Sequence, residues 1–265
     1  MISMNKIVRN SKRISYILPS ISLLGIALII WQSYVTLAHV NEVILPAPTG
    51  IMKSLWQNRL ILWQNLIVTG EEILLGFVIG AVTGMILGIM IALSKALERA
   101  IYPLVIASQV IPIFAIAPLL IIWFGFGIAP KVLIAALIVF FPICVNQVEG
   151  IRSAEDGAIQ LMRSYGAGTW RIFRVVQLPA SVPFLLAGMQ MGVTFSVIGA
   201  VIAEWVGAQT GLGALMLSAD AQSNTSMVFA AIVTVAVLGV VLFALVRVIG
   251  NLIWPWQAIK IQTNR

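Results

Sequence analysis

A chain of 265 residues that is 60% hydrophobic and only 9% charged is not a soluble domain, since soluble domains carry about 25% charged residues. Its apolar surface exceeds what one globular core can bury, which makes it an all-α integral membrane protein rather than a cytosolic enzyme. The net charge of +7 does not indicate nucleic acid binding, because the basic residues cluster at the ends of apolar runs and not on one face.

In chain order, residues 1–13 carry Lys6, Arg9, Lys12 and Arg13 and form a polar tail. The apolar run from Ile14 to Val35 is too long for a signal-peptide core and has no small-residue cleavage site after it, so it is expected to stay as an anchor. After Leu45-Pro46-Ala47-Pro48, Thr49 is a candidate N-cap for a surface helix reaching Trp56. Further spans are expected at Ile67–Leu93, Ile101–Phe124, Ala129–Val148, Phe184–Trp205 and Met227–Ile249, each near the ~20 residues that a helix needs to cross hydrocarbon. That makes about six transmembrane helices in a single domain covering residues 1–265. The stretch Val206–Thr225 is polar and glycine-containing and is expected to connect the last two.

Charge sets the orientation. Of the sixteen basic residues, thirteen fall in the segments on the side of the N-terminus and three (Lys53, Arg59, Lys131) on the other. Positive charge marks the cytoplasmic side, so both termini and residues 150–183 are expected in the cytoplasm.

Within the spans, Gly76, Gly80, Gly84 and Gly88 form overlapping GxxxG units on one helix face. Such a face admits another helix at close range, either within the subunit or across a dimer contact. Pro112 and Pro118 in the third span and Pro142 in the fourth free backbone carbonyls, which are tolerated where they face protein or a water-filled path. The third to fifth spans are therefore expected to line a translocation path. Candidate polar contacts on it are Gln109, Asn146, Gln190, Thr194 and Ser196, with Glu204 at the end of the fifth span, either as an interfacial acid or as a helix-end contact holding the outer gate. Glu71 and Glu72 are expected at headgroup level. Cys144 sits in an apolar run, where an inert buried thiol is expected. His39 has no partner cluster, and no metal site is expected.

The longest polar interruption is Glu155–Pro183. Ile159, Met162, Tyr165, Trp170, Ile172 and Phe173 form an apolar set between Arg163, Arg171 and Arg174. Gly166-Ala167-Gly168 breaks the stretch into two short helices, and Leu178-Pro179 is expected to stop the second. On physical grounds alone it fits either a docking element or a positive-inside loop lying on headgroups.

The stretch resembles the EAA loop of the membrane subunits of binding-protein-dependent ABC importers. That motif is Glu-Ala-Ala, three residues, Gly, nine residues, Ile, one residue, Leu-Pro. Here the corresponding places hold Gln160-Leu161-Met162, Gly166, Val176 and Leu178-Pro179, so the spacing is kept while the Glu-Ala-Ala letters are not. Leu45-Pro46-Ala47-Pro48, Ala203-Glu204 and Gly211-Leu212-Gly213 extend the likeness to the nitrate/sulfonate/taurine-type branch. The resemblance implies a multi-pass permease of the bacterial inner membrane. Its implied partners are two cytoplasmic ATPase subunits, an external substrate-binding protein and a second permease copy, with a homodimer expected. It also implies alternating access and a small solute, with a vitamin-precursor-like compound favoured over a sulfonate or nitrate. Met162, Tyr165, Ile172 and Phe173 would anchor the ATPase, with Arg163, Arg171 and Arg174 at the rim and Gln160, Ala167, Leu178 and Pro179 completing the coupling loop.

The chain contains no G-x-x-x-x-G-K-[ST] phosphate loop. It is therefore expected not to be an enzyme and to hold no cofactor, with ATP and Mg in the partner ATPase. The alternatives are an intramembrane enzyme, which would need a catalytic cluster that the letters do not supply, and a channel, which would need a pore filter.

Overall fold

The computed structural model describes residue 19 and residues 22–254, and among these every regular element is a helix. The expected tail at 1–13 lies outside the described residues. Helix α1 is Ser22–Leu37, followed by α2 at Pro48–Gln57 and α3 at Arg59–Leu93. Then come α4 at Lys95–Ser108, α5 at Ile113–Phe124 and α6 at Ile128–Arg152. Two short helices, α7 at Asp156–Ser164 and α8 at Thr169–Ile172, precede a π-helical turn at Phe173–Gln177. The last described elements are α9 at Leu178–Gly207, α10 at Leu212–Ala221 and α11 at Thr225–Ile253.

The core is a three-helix stack with α6 in the middle. On one side the glycine ladder of α3 meets α6 with no room for side chains. A Cβ at Gly84 would lie 2.7 Å from the Phe140 carbonyl oxygen, and one at Gly88 would lie 2.8 Å from Gln147 Cβ. Gly76 faces Ala135, and Gly80 faces the Ala136 carbonyl and Val139, just as tightly. The ladder is thus an intrachain contact. On the other side, α9 brings Gly188 against Asn146 and the Pro142 carbonyl, Gly192 against Val139 and Ile143, and Gly199 against Ile138. Gly150 of α6 returns the favour at the loop end, where a Cβ would sit 2.7 Å from Phe184 Cβ and 2.9 Å from Ser181 Cα. Without a hydrophobic drive between helices in lipid, this close van der Waals contact is the main attraction available. Outside the stack, α11 packs on α9 and α3 through Leu242 against Ile73, Val193, Val197 and Ala200. The α1 helix leans on α11 through Trp31, whose ring centroid is 5.7 Å from that of Phe229.

Several expectations are corrected. The N-cap of α2 is Ala47, not Thr49, and Pro48 takes the first turn, where its missing N–H is no loss. Thr49 instead donates its N–H to Gln32 Oε1 at 3.1 Å, tying α2 to α1. The third span is not one rod. It is α4 and α5, bent by 99° at the break. Pro112 is the N-cap of α5 in extended conformation, which ends the helical bonding of α4. Pro179 does not stop a helix, since Thr169–Gly207 runs as one helical span. The π turn makes this possible: Leu178 N–H bonds Phe173 O, and Pro179 then falls in the first turn of α9. The stretch Val206–Thr225 is not merely a connection, because it contains α10. Among the described residues, four helices are long and apolar enough to cross a membrane, or five with the bent pair counted as one. The described part of α1 is shorter, and the expected start of its span at Ile14 lies outside the described residues.

Candidate functional site

Two polar regions stand at opposite ends of the helix stack. The first is the loop between α6 and α9. Its first half, α7, has no buried residue. The helix ends in a Schellman motif: Ala167 N–H reaches Met162 O at 3.0 Å and Gly166 N–H reaches Arg163 O at 2.9 Å. Gly166 has φ +75°, a conformation that disfavours any residue with a Cβ, while the space around it is open. The glycine is needed for its backbone and not for fit. Tyr165 is the helix C-cap and is 81% exposed, and Trp170, across the turn, is 68% exposed. Leu161 is exposed as well. Arg163, Arg171 and Arg174 are exposed around them, as is Gln160.

This geometry divides the expected anchors. Tyr165 projects, and Met162 and Ala167 are half-buried. Ile172 and Phe173, at 5% and 4% exposure, are buried within their own chain and are not available to a partner. They root the loop, and the Phe173 ring supports Trp170 at 5.4 Å between centroids. Leu178 and Pro179 continue into α9. Leu161 and Trp170 take the place of the two buried residues as exposed apolar groups. A helical wheel of α7 carries the signal for Leu161, because four-residue spacing puts it on the Tyr165 side.

The second region, at the far end, joins α3, α6, α9 and α10. Glu204 is fully buried. Thr69 Oγ1 donates to its Oε1 at 2.6 Å, and Gly213 N–H donates to its Oε2. Leu212 N–H bonds Thr69 Oγ1 at 2.8 Å, and Gly211 N–H bonds Asn65 Oδ1 at 2.8 Å. The N–H groups of Gly211, Leu212 and Gly213 at the start of α10 are thus met by side chains of α3 and α9. Beside it Lys131 of α6 pairs with Glu72 of α3 at 2.6 Å, with Glu72 at 1% exposure. The headgroup position expected for Glu72 is therefore wrong. Its burial is legible in hindsight, because Asn65, Thr69, Glu72 and Gly76 repeat at helical spacing on the ladder face.

Among the expected path residues, Gln109, Pro112, Pro118 and Thr194 are exposed, and Asn146 and Gln190 are half-buried. Asn146 donates its side-chain amide to the Pro142 carbonyl at 2.7 Å, one turn back on its own helix, so its polar end is spent inside α6. Ser196 and Glu204 do not line a path. Ser196 is fully buried, with its hydroxyl on Val193 O at 2.8 Å, and Glu204 is consumed by the network around α10.

Glycine-packed apolar helices with an exposed helix–Gly–helix loop at one end define a helical, multi-pass membrane protein. A model of the family described as "Binding-protein-dependent transport system inner membrane component" matches residues 84–254. The chain is 39% identical over 256 residues to the riboflavin transport system permease protein RibX of Chloroflexus aurantiacus, covering 95% of each. It is 32% identical over 215 residues to the formylaminopyrimidine transport permease protein ThiX of Halalkalibacterium halodurans, covering 81% of this chain and 86% of that one. In fold it is similar to a chain of the MetNI methionine ABC transporter in an inward-facing conformation. That match has a TM-score of 0.57 at 22% identity and covers 75% of this chain and 94% of that one. The chain belongs to the binding-protein-dependent family: it is the membrane permease subunit of an ABC importer for a small solute, and it is not an enzyme.

Proposed function

We propose that the α7–α8 loop is the coupling element of this importer, seated on a cytoplasmic ATPase, and that two copies of the chain form the translocation path. The observation that carries it is the exposed trio Leu161, Tyr165 and Trp170, held on a Schellman turn and continuous through the π turn with α9. A headgroup-lying loop needs no such rigid root. Force applied at Tyr165 passes through buried Ile172 and Phe173 into the helix that packs along α6. ATP-driven closure of the ATPases would move the loops, and the helix stack would follow as a body, exposing the site first to one side and then to the other. Arg163, Arg171 and Arg174 supply rim contacts that favour the cytoplasmic side and weaken with salt. The solute we infer is a flat heteroaromatic vitamin or vitamin precursor, supported by the riboflavin and formylaminopyrimidine permeases among the relatives.

The test is co-purification of the ATPase and ATP hydrolysis in proteoliposomes. Tyr165→Asp removes an exposed aromatic anchor and places a charge in a desolvated contact, an effect worth roughly 2–4 kcal/mol at an interface hot spot. It should release the ATPase while leaving the amount of folded permease unchanged. Gly166→Val should do the same by straining the αL turn. Full ATPase binding by both variants would remove the coupling role. Orientation has its own check. With Thr169→Cys in a Cys144→Ala background, an impermeant maleimide added outside intact cells should not label the protein, and labelling there would invert the topology.

A further inference from the structure

We propose that Arg152 is a positioning residue that clips the bent α4–α5 pair to the coupling loop, so that this pair moves with the ATPase. Arg152 is the last residue of α6, and the chain passes through Ser153, buried Ala154 and Glu155 directly into α7. Its guanidinium donates to Glu98 Oε1 of α4 at 2.7 Å and lies 3.5 Å from Glu149 Oε1 of its own helix. Its plane stands over the ring of Tyr102, also on α4, with Cζ 5.1 Å from the centroid. Tyr102 closes the set by donating its hydroxyl to Glu149 Oε1 at 2.8 Å. One planar cation thus holds a carboxylate and an aromatic face on α4 and a carboxylate on α6, which a lysine cannot do at once.

The surroundings make this a junction between moving parts. On the side away from α4, the end of α6 is fixed to α9 by the close approach of Gly150 to Ser181 and Phe184 and by Gln147 Nε2 donating to Ser181 Oγ at 3.3 Å. The end of α6, the root of the loop and the start of α9 therefore form one block. The α4 helix is attached to that block by the Arg152 cluster and by an apolar patch of Val105, Leu97, Ile101 and Tyr102 against Cys144 and Val148. Beyond α4 the chain turns through 99° into α5, whose Ala117 and Leu120 reach Ile134 of α6 and Ala203 of α9 at the far end. A displacement of α7 reaches α6 through covalent chain, and it reaches α4 through the apolar patch and, at the loop end, through Arg152. This role presupposes that the loop docks the ATPase.

The competing explanation is local. Glu98 lies in the first turn of α4 and Arg152 in the last turn of α6, where each complements its own helix dipole. Charge exchange separates the two. With Glu at 152 and Arg at 98, both charges oppose their helix dipoles while the pair is restored. A helix-end role makes the double variant the worst, whereas a clip makes it better than Arg152→Glu alone.

The experiment uses the permease with its ATPase in proteoliposomes, in a Cys144→Ala background, with spin labels at Leu104→Cys on α4 and Leu24→Cys on α1, which lies outside the block. Both positions are exposed. The label distance is read with and without ATP and vanadate. We expect a shift in the parent protein, a loss of about tenfold in the shifted fraction in Arg152→Glu, typical of a broken allosteric coupling, and partial recovery in Arg152→Glu/Glu98→Arg, which restores the 98–152 pair but not the contacts to Glu149 and Tyr102. The ATPase should stay bound throughout. Arg152→Gln, which introduces no opposing charge, should show the same loss if Arg152→Glu folds poorly. A full shift in Arg152→Gln, a double variant worse than the single, no shift in the parent, or release of the ATPase by Arg152→Gln would each overturn the assignment. The docking role of the loop fails separately, if Tyr165→Asp keeps the ATPase bound.

Discussion

Gly80→Leu, and still more Gly80→Leu with Gly84→Leu, should leave little folded protein. A Cβ at Gly80 would fall onto the Ala136 carbonyl oxygen and within 2.7 Å of Val139 Cβ. Carbonyl oxygen and Cβ belong to the backbone of α6 and the root of its side chain, so neither can rotate away. A leucine must push α3 off α6 as a rod, and the loss then spreads to Gly76, Gly84 and Gly88, which rely on the same approach. Overpacking of a tight core costs about 1–3 kcal/mol when neighbours can adjust and more when they cannot. This exceeds what a marginally stable fold can lose without a drop in folded yield. The check is the monodisperse fraction after detergent extraction, compared with Gly70→Leu on the same helix, where nothing stands within 4 Å of the added Cβ. Equal yields for Gly70→Leu and the double variant would mean that this face is not a packing surface.

The glycine ladder shows how far the letters alone carry. Four-residue spacing places the glycines on one face, and the physics of close approach follows without any partner being known. The identity of that partner, α6, depends on chain topology and is not local information. The same limit appears at Glu72. Its position on the ladder face is readable, but burial requires Lys131, which arrives from another helix. The spans of α3, α6, α9 and α11 are legible because lipid demands long uncharged runs. The bend between α4 and α5 is only half legible: Pro112 marks the break, and nothing in the letters sets the angle. Pro179 misleads because the usual rule assumes α-helical register, and the π turn changes the register just before it. In the loop, the alternation of apolar and basic residues finds the element, and Gly166 gives its turn. It cannot separate Tyr165 and Trp170, which project, from Ile172 and Phe173, which root the loop in the chain. Glu204 keeps two readings open, an interfacial acid or a helix-end contact, for a related reason. An acid at a helix end beside Trp205 looks interfacial until α10 folds back over it.

That fold-back makes Glu204 the second sensitive position. Glu204→Ala should lower stability and loosen α10 without directly removing a contact to the solute. Its two oxygens accept from the Thr69 hydroxyl and the Gly213 N–H in a site with no exposure. Removing them leaves two buried donors unmet, at about 1–3 kcal/mol each. Relaxation of α10 toward water offsets part of that, so a net loss of about 2–4 kcal/mol is expected. In a chain of this size this corresponds to a fall of roughly 5–15 °C in the thermal midpoint. Glu204→Gln is the informative partner, because a carboxamide has one acceptor oxygen and a donating NH2 in place of the second. It can satisfy Thr69 or Gly213 but not both, and should fall between the parent and Glu204→Ala. Gly213→Ala should be as damaging as Glu204→Ala, since its Cβ would stand 2.8 Å from Glu204 Oε2 and 2.9 Å from the Val201 carbonyl. The measurement is thermal unfolding in detergent followed by protease sensitivity at the exposed residues Gln222 and Ser223 just after α10, where a loosened helix should be cut first. If Glu204→Ala unfolds at the parent temperature, resists protease and yet abolishes uptake, then Glu204 serves the translocated solute and the α10 network is not its function.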